Sequence, residues 1–456
     1  MDSWFTRILQ FLGKDNISFY ENILLKRGFK VFLIQGCGLV FAFSANILLA
    51  RLYGGQIYGI YSLVSSWCVL LAVLSLFGMD DSHLVQLPTW RLKGKIKKIR
   101  QQLNWSLCIN SILIPVVCTI FLFILHYFDL PGISKYSYYF NYGLLLVILL
   151  TVMNNLVSFL RGMDKVIYGE IIEKIARPLF FIIFLLVFYY TGKRDLAVGS
   201  ILAGSAGLFC SILLLAAKIR KTIGDVKEAA TGPENSYSPR PNFRYVLLNL
   251  MYFLSTRMDL LLLGLFSSVA SVGHYNVALK FADIASYPVA IINLSLPTLV
   301  STVKHEIGQE AGPGLLYRIS KNSFYQCLLL CCLFLLTGPR ILQWYGSGFG
   351  DAFVVLVVFL ASNLLSAFIG SADVFFILEG GEKKPIYCRI YSLIFTFILA
   401  VFLIPKWSMM GAAVSMFTGN LIYCTLMEYY FFRRYGIFIH PFASKNKYKS
   451  VQKKSN

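Results

Sequence analysis

Twelve apolar segments, each near twenty residues long, leave this chain few ways to fold. They fall at about 29–50, 57–78, 104–127, 140–162, 174–192, 197–217, 245–266, 275–303, 322–338, 352–378, 387–404 and 408–432. About 20 helical residues cross the roughly 30 Å of hydrocarbon in a bilayer. Hydrophobic residues make up 57% of the 456, charged residues 14%, and the mean hydropathy is +0.66. A water-soluble chain could not enclose so much apolar surface, whereas lipid accepts it. The expected fold is all-α: a polytopic membrane protein of twelve transmembrane helices. The first segment follows a polar stretch of about 28 residues and is too long for a signal-peptide core, so no cleavable signal is expected.

The net charge of +20 would suit a nucleic-acid binder if it were gathered on one face. It is distributed by loop instead. With a cytoplasmic N-terminus, 34 of the 42 Lys and Arg residues fall in inner segments and 6 in outer loops, while Arg257 and Lys280 lie inside spans. That alternation is the positive-inside pattern, and it puts both termini in the cytoplasm. The basic runs Arg91–Arg100 and Lys445–Lys454 are read as topology signals first and as contacts to anionic membrane lipids second. Nucleic acid is not an expected partner. The ten cysteines mostly sit within spans, as Cys37, Cys68, Cys118, Cys327, Cys331 and Cys332 do, and none joins a histidine at zinc spacing. No metal and no cofactor is expected.

The longest polar break, residues 218–244, divides six spans from six. The expected organisation is an N-terminal segment (1–28), an N-lobe of spans 1–6 (29–217), this linker, a C-lobe of spans 7–12 (245–432) and a basic tail (433–456). Two patterns recur across the linker. Leu48–Ser62 and Leu262–Asn276 each carry paired leucines, a turn and then G-x-Y, with Gly59 and Gly273 separated by 214 residues. Phe159–Lys165 and Ile377–Lys383 form a second pair, with Gly162 and Gly380 separated by 218. Each half begins on the same side and holds an even number of spans, so the halves are parallel repeats about an axis along the membrane normal. Such repeats enclose a central cavity at their interface.

On these features (six plus six spans, G-x-Y at spans two and eight, and the short connections after spans four and ten) the chain resembles the polysaccharide-transporter branch of the multidrug/oligosaccharidyl-lipid/polysaccharide flippase superfamily. The resemblance covers about residues 20–435 and includes the Wzx-type flippases of O-antigen and capsule repeat units. It implies a V-shaped pair of six-helix lobes that alternate access, an undecaprenyl-pyrophosphate-linked oligosaccharide as substrate, and a bacterial cytoplasmic membrane location. A polysaccharide polymerase and chain-length machinery follow as partners. Lipid II flippases of the superfamily usually carry two further C-terminal helices, and twelve spans argue against that branch.

A lipid-linked sugar of this kind needs cations for its pyrophosphate and amide, hydroxyl or aromatic partners for its sugars. In span eight, Asn276, Lys280, Asp283 and Tyr287 share one narrow helical stripe, within which Lys280 and Asp283 could pair. Ionisable groups inside a span mark functional sites by default. The ordinary alternative has Lys280 snorkelling to the surface with Asp283 as its counter-charge. Span seven carries Asn249, Tyr252, Thr256 and Asp259 on one stripe, with Arg257 pointing away. Span four offers Thr151, Asn155 and Ser158, and span ten offers Ser362, Ser366 and Asp373, with Asn155 and Asp373 equivalent in the repeat. Arg27 and Lys30, with Arg161 and Lys165, lie at the expected cytoplasmic mouth, where charge bias explains them equally well. The candidate substrate contacts are therefore Arg257, Lys280, Asn276, Asn249, Asn155, Arg27 and Lys30. Asp259, Asp283 and Asp373 are the candidates for coupling to H+ or Na+.

An enzyme of the same pathway is not expected. The outer loops are about thirteen residues or shorter and hold at most one carboxylate each, and Asp80-Asp81 falls on the inner side. The nearer rival is an ion-coupled antiporter of drugs or organic cations on the same fold. Arg257 and Lys280 separate the two readings, because cations suit an anionic pyrophosphate better than an organic cation.

Overall fold

The structure, a computed structural model, describes residues 18–128, 134–191, 195–224, 243–306, 312–378, 381, 383–436 and 438–440. Helices account for nearly all of these residues. The first half contains α1 (Ser18–Tyr53), α2 (Gly55–Leu76), α3 (Met79–Leu92), α4 (Ile96–Tyr127), α5 (Ser137–Gly162), α6 (Val166–Ile171), α7 (Arg177–Tyr190) and α8 (Leu196–Gly224). The second half contains α9 (Phe243–Phe266), α10 (Val269–Glu306), α11 (Gly312–Leu342), α12 (Ala352–Ile369), α13 (Ala372–Leu378) and α14 (Lys383–Tyr435).

Nine helical stretches among the described residues are long and apolar enough to cross a membrane. The differences from twelve have local causes. The 53 residues of α14 are two antiparallel helices, since Ser408 is non-helical (φ 47°, ψ −123°) just after Pro405. Ser392 Oγ donates to Gly419 O at 2.7 Å, and Gly411 lies against the Leu403 carbonyl, so the two arms pack face to face. The fifth expected span is interrupted by a π-helical turn, Ile172–Ala176, ahead of a 14-residue α7. The eighth lies in α10, where the side chains of residues 291–295 and 297–306 fall outside the described set. Span ten breaks at Gly370 (φ 56°), which admits the Ser320 side chain from α11 and separates α12 from α13.

Each half forms a lobe. In the first, α5 and α7 pack on α8, α2 packs on α5, and Gly38 of α1 seats directly against Lys174 in the π turn. Its interior holds a polar knot. Asn155 is fully buried, accepts from Ser106 Oγ at 3.1 Å and shares a 3.1 Å bond with His83 Nε2; with the Asn110 amide turned to satisfy both its ends, Asn155 also donates to the Asn110 oxygen at 2.7 Å. Buried polar groups need partners of this kind, and here they tie α3, α4 and α5 together. In the second lobe α10, α11, α12 and α14 pack in succession, and α9 lies along α14.

Candidate functional site: the interlobe cleft

The lobes meet where α2 crosses α10, and the contact is made by the repeated motif itself. A Cβ on Gly59 would stand 2.1 Å from the Val269 carbonyl oxygen, and one on Gly273 would stand 3.1 Å from the Gly55 carbonyl oxygen and 3.2 Å from Gly59 Cα. Gly55 and Val269 are separated by 214 residues, as are Gly59 and Gly273, so the two contacts are images of each other. Residues that touch their own equivalents lie on the axis relating the repeats, as in an isologous dimer. Ser62 and Asn276 make a third such pair, the Asn276 amide donating to Ser62 Oγ at 2.9 Å. Beside them Leu63 fills the space left by Gly264 on α9. Small residues let the backbones approach this closely.

Beyond the crossing, the span-eight stripe runs from shut to open. Gly273 is buried against backbone and Asn276 is 6% exposed. Lys280, one turn on, is half-buried, and the Asp283 side chain is 52% exposed. The facing residues of α2 follow the same course, with Gly59 and Ser62 buried and Ser66 and Val69 partly exposed. Two helices that diverge from a tight crossing leave a cleft between them. One wall carries charges and the other is made of small, uncharged residues.

Three polar side chains, Asn46, Tyr58 and Asn276, close the apex of this cleft around the lysine. Lys280 Nζ donates to Asn46 Oδ1 on α1 and sits 5.8 Å from the centroid of the Tyr58 ring. The Tyr58 hydroxyl donates to the same Asn46 oxygen at 3.4 Å and accepts from the Asn276 amide at 3.4 Å. Asn46 and Tyr58 were absent from the sequence expectations. A single asparagine in the apolar run of span one was the one available signal. Arg257 reaches from α9 to Asp283, 3.7 Å away, and its side chain is 32% exposed. Lys280 and Asp283, which their spacing would allow to pair, instead each have a partner on another helix.

Behind the apex, aromatic rings seal the end away from the basic loops. Tyr345 lies 5.9 Å from Tyr58 and 5.8 Å from Phe281, while Phe349 lies 4.7 Å from His274 and 6.0 Å from Tyr58. Arg51 Nε donates to the Trp344 carbonyl at 2.7 Å, a further tie between the lobes. At the basic end the Asn249 amide donates to Asp81 on α3 at 2.9 Å.

The remaining candidates lie elsewhere. Asp259 is buried within the C-lobe and accepts from the Tyr275 hydroxyl. Asp373 accepts from Tyr423 Oη at 3.1 Å and lies 3.9 Å from Arg389, itself stacked on the Tyr423 ring at 3.6 Å. Asn155 belongs to the N-lobe knot. Arg161 is engaged by Glu170 at 2.8 Å and Glu173 at 2.7 Å. Lys30 is exposed on α1, and the side chain of Arg27 lies outside the described residues, as do Glu379 and Gly380. The cleft therefore brings together Lys280, Asn276, Arg257 and Asp283, and Asn249 stands at its mouth. No group of three or more metal-ligating side chains occurs among the described residues.

Outside the spans, α3 carries a strained acid. Burial raises the Asp80 carboxyl to about 6 from an ordinary 3.8, and the neighbouring Asp81 charge adds to the effect. Between those values the folded protein holds a proton that the unfolded chain has lost. Asp80 therefore lowers stability as pH rises through that window. The displacement is worth at most about 3 kcal/mol. Asp80→Asn should unfold at higher temperature than the wild type at pH 7.5, and the difference should vanish near pH 4. A difference independent of pH would show that ionisation is not its cause.

A family model described as a polysaccharide biosynthesis protein matches residues 24–303. The chain belongs to that family. Its fold is similar to an inward-facing multidrug resistance MATE family transporter of the MOP superfamily, at 14% identity and a TM-score of 0.62, covering 94% of this chain and 96% of the other. It is also similar to the lipid II flippase MurJ in an inward closed conformation, at 12% identity and a TM-score of 0.65, covering 88% and 87%. An outward-facing MATE transporter matches at 13% identity and a TM-score of 0.62, covering 90% and 94%. Comparison with curated proteins finds no match. These neighbours are transporters and flippases rather than enzymes, and the chain is a multi-pass membrane protein of the transporter fold they share.

Proposed function

We propose that the protein is a flippase that moves an undecaprenyl-pyrophosphate-linked oligosaccharide from the inner to the outer leaflet of a bacterial cytoplasmic membrane, for surface polysaccharide assembly. The observation that carries this reading is the composition of the cleft wall. Two cations, Lys280 and Arg257, stand beside the amides of Asn276 and Asn46 and the hydroxyls of Tyr58 and Ser62. Charge-assisted contacts to phosphate and neutral hydrogen bonds to sugar are what such a ligand requires. The prenyl chain stays in lipid, and a cleft between lobes accommodates that where a sealed pore would not.

In this mechanism the lipid arrives from the basic end and its pyrophosphate exchanges with Asp283 for Arg257. Lys280 gives up Asn46 for phosphate oxygen, and the cross-lobe tie that ran through Lys280 is lost. The lobes then rock about the Gly59–Gly273 crossing, parting the aromatic seal and closing the basic end. Asp283, released from Arg257, becomes free to take up H+ or Na+, which couples the return step. Asp283→Asn should leave substrate binding intact and abolish the dependence of flipping on an ion gradient. Unchanged gradient dependence would remove Asp283 from the coupling. In cells, deletion should cause lipid-linked repeat units to accumulate on the cytoplasmic face, whereas an organic-cation antiporter would leave them unaffected and alter drug tolerance.

A further inference from the structure

A second cationic site lies on the basic side of the N-lobe, away from the cleft. Arg100, in the second turn of α4, and Arg220, near the end of α8, line a groove of about 300 Å3 together with Leu103, Asn104, Ile223 and Gly224. All six residues come from α4 and α8. Neither α1 and α2, which face the cleft, nor any helix of the C-lobe contributes, so this groove is separate from the route between the lobes. Neither arginine forms an ion pair with a carboxylate among the described residues, although ion pairs hold Arg91 and Arg161 close by in the same lobe.

Leu103 and Ile223 already line the groove, and from it toward mid-membrane the face of α8 that carries Arg220 continues in the exposed apolar side chains of Leu213 and Phe209. The site is thus amphiphilic by construction, with two guanidinium groups and an amide at the polar edge and a hydrocarbon face beneath. Guanidinium forks match phosphate oxygens bidentately, which a lysine cannot do. A soluble anion would have no use for the apolar face, and a neutral lipid none for the arginines.

We propose that the Arg100–Arg220 groove holds the phosphate headgroup of an anionic glycerophospholipid of the surrounding leaflet, as a site distinct from the transport cleft. A bound lipid would bridge the basic ends of α4 and α8, two helices that otherwise scarcely touch.

The test is native mass spectrometry of the full-length protein released from membranes containing phosphatidylglycerol and phosphatidylethanolamine. The wild type should retain phosphatidylglycerol over phosphatidylethanolamine by more than about fivefold, from two cations at a membrane surface. The R100Q/R220Q variant should fall to near parity, and R100K/R220K should lie between them. K97Q/K98Q, which removes equal charge from the same helix outside the groove, should retain the preference. Single R100Q and R220Q variants stand in if the double variant unfolds, and each should lose part of the enrichment. Full retention in R100Q/R220Q would overturn the proposal, as would an equal loss in K97Q/K98Q, which would point to diffuse charge. Displacement of the lipid by millimolar inorganic pyrophosphate would also overturn it, in favour of a soluble-anion site. None of these results depends on what the cleft transports.

Discussion

Alanine at Gly59 is expected to abolish transport, and alanine at Gly273 to reduce it severely. The new Cβ at position 59 would lie 2.1 Å from the Val269 carbonyl oxygen and 2.8 Å from its carbonyl carbon, so backbone rather than a mobile side chain would have to move. Position 273 is less extreme, at 3.1 Å from a carbonyl oxygen and 3.2 Å from Gly59. Overfilling a close-packed contact costs about 1–3 kcal/mol and more where backbone is involved. Because the same crossing is the pivot of the lobes, the cost falls on closure of the far end as well as on stability. Gly36 provides the control, since a Cβ there meets nothing within 4 Å and Gly36→Ala should be silent. Transport assays on the three variants, alongside thermal stability in detergent, give the ordering. Equal tolerance at positions 36, 59 and 273 would mean that the lobes do not pivot there.

Neutralising Lys280 has the second largest expected effect. In Lys280→Gln the cleft loses its deepest cation, while Asn46, Tyr58 and Asn276 retain one another as partners, so the apex still holds together. A hydrogen bond involving a charged group contributes about 1.5–3 kcal/mol, which predicts a fall in substrate affinity of roughly ten- to a hundredfold. Asn46→Ala removes the group that holds the ammonium in the resting state without removing the charge. It should weaken the tie between lobes and change binding little. If both variants lost binding to the same degree, the role of Lys280 would be to maintain the cross-lobe network rather than to meet the ligand.

How much of this could be read from sequence depended on whether the deciding contact was local. The helical class followed from runs of apolar residues, and the turn at Pro405–Ser408 falls where two expected spans meet. The repeat was visible as the 214-residue spacing of Gly59 and Gly273. That these glycines touch one another was not, because spacing records equivalence and says nothing of where the axis runs. Periodicity placed Asn276, Lys280 and Asp283 on one stripe, and the structure keeps them so. The partners of Lys280 and Asn276 lie hundreds of residues away on other helices: Lys280 is 234 residues from Asn46 and Asn276 is 214 from Ser62. Asn155 shows the opposite limit. A polar stripe can line a cleft or fasten one helix to its neighbours, and only the position of His83, Ser106 and Asn110 decides between them.

The central claim is that the cationic cleft carries a lipid-linked oligosaccharide across the bilayer, and reconstitution tests it most directly. Proteoliposomes would be loaded with a fluorescent undecaprenyl-pyrophosphate-linked oligosaccharide, and a membrane-impermeant quencher would report how much reaches the opposite leaflet. The wild type should raise the rate well above that of empty liposomes, Lys280→Gln should return it to near background, and an organic cation in excess should not compete. Background rates with the wild type, together with ion-driven uptake of the organic cation by the same vesicles, would contradict the account.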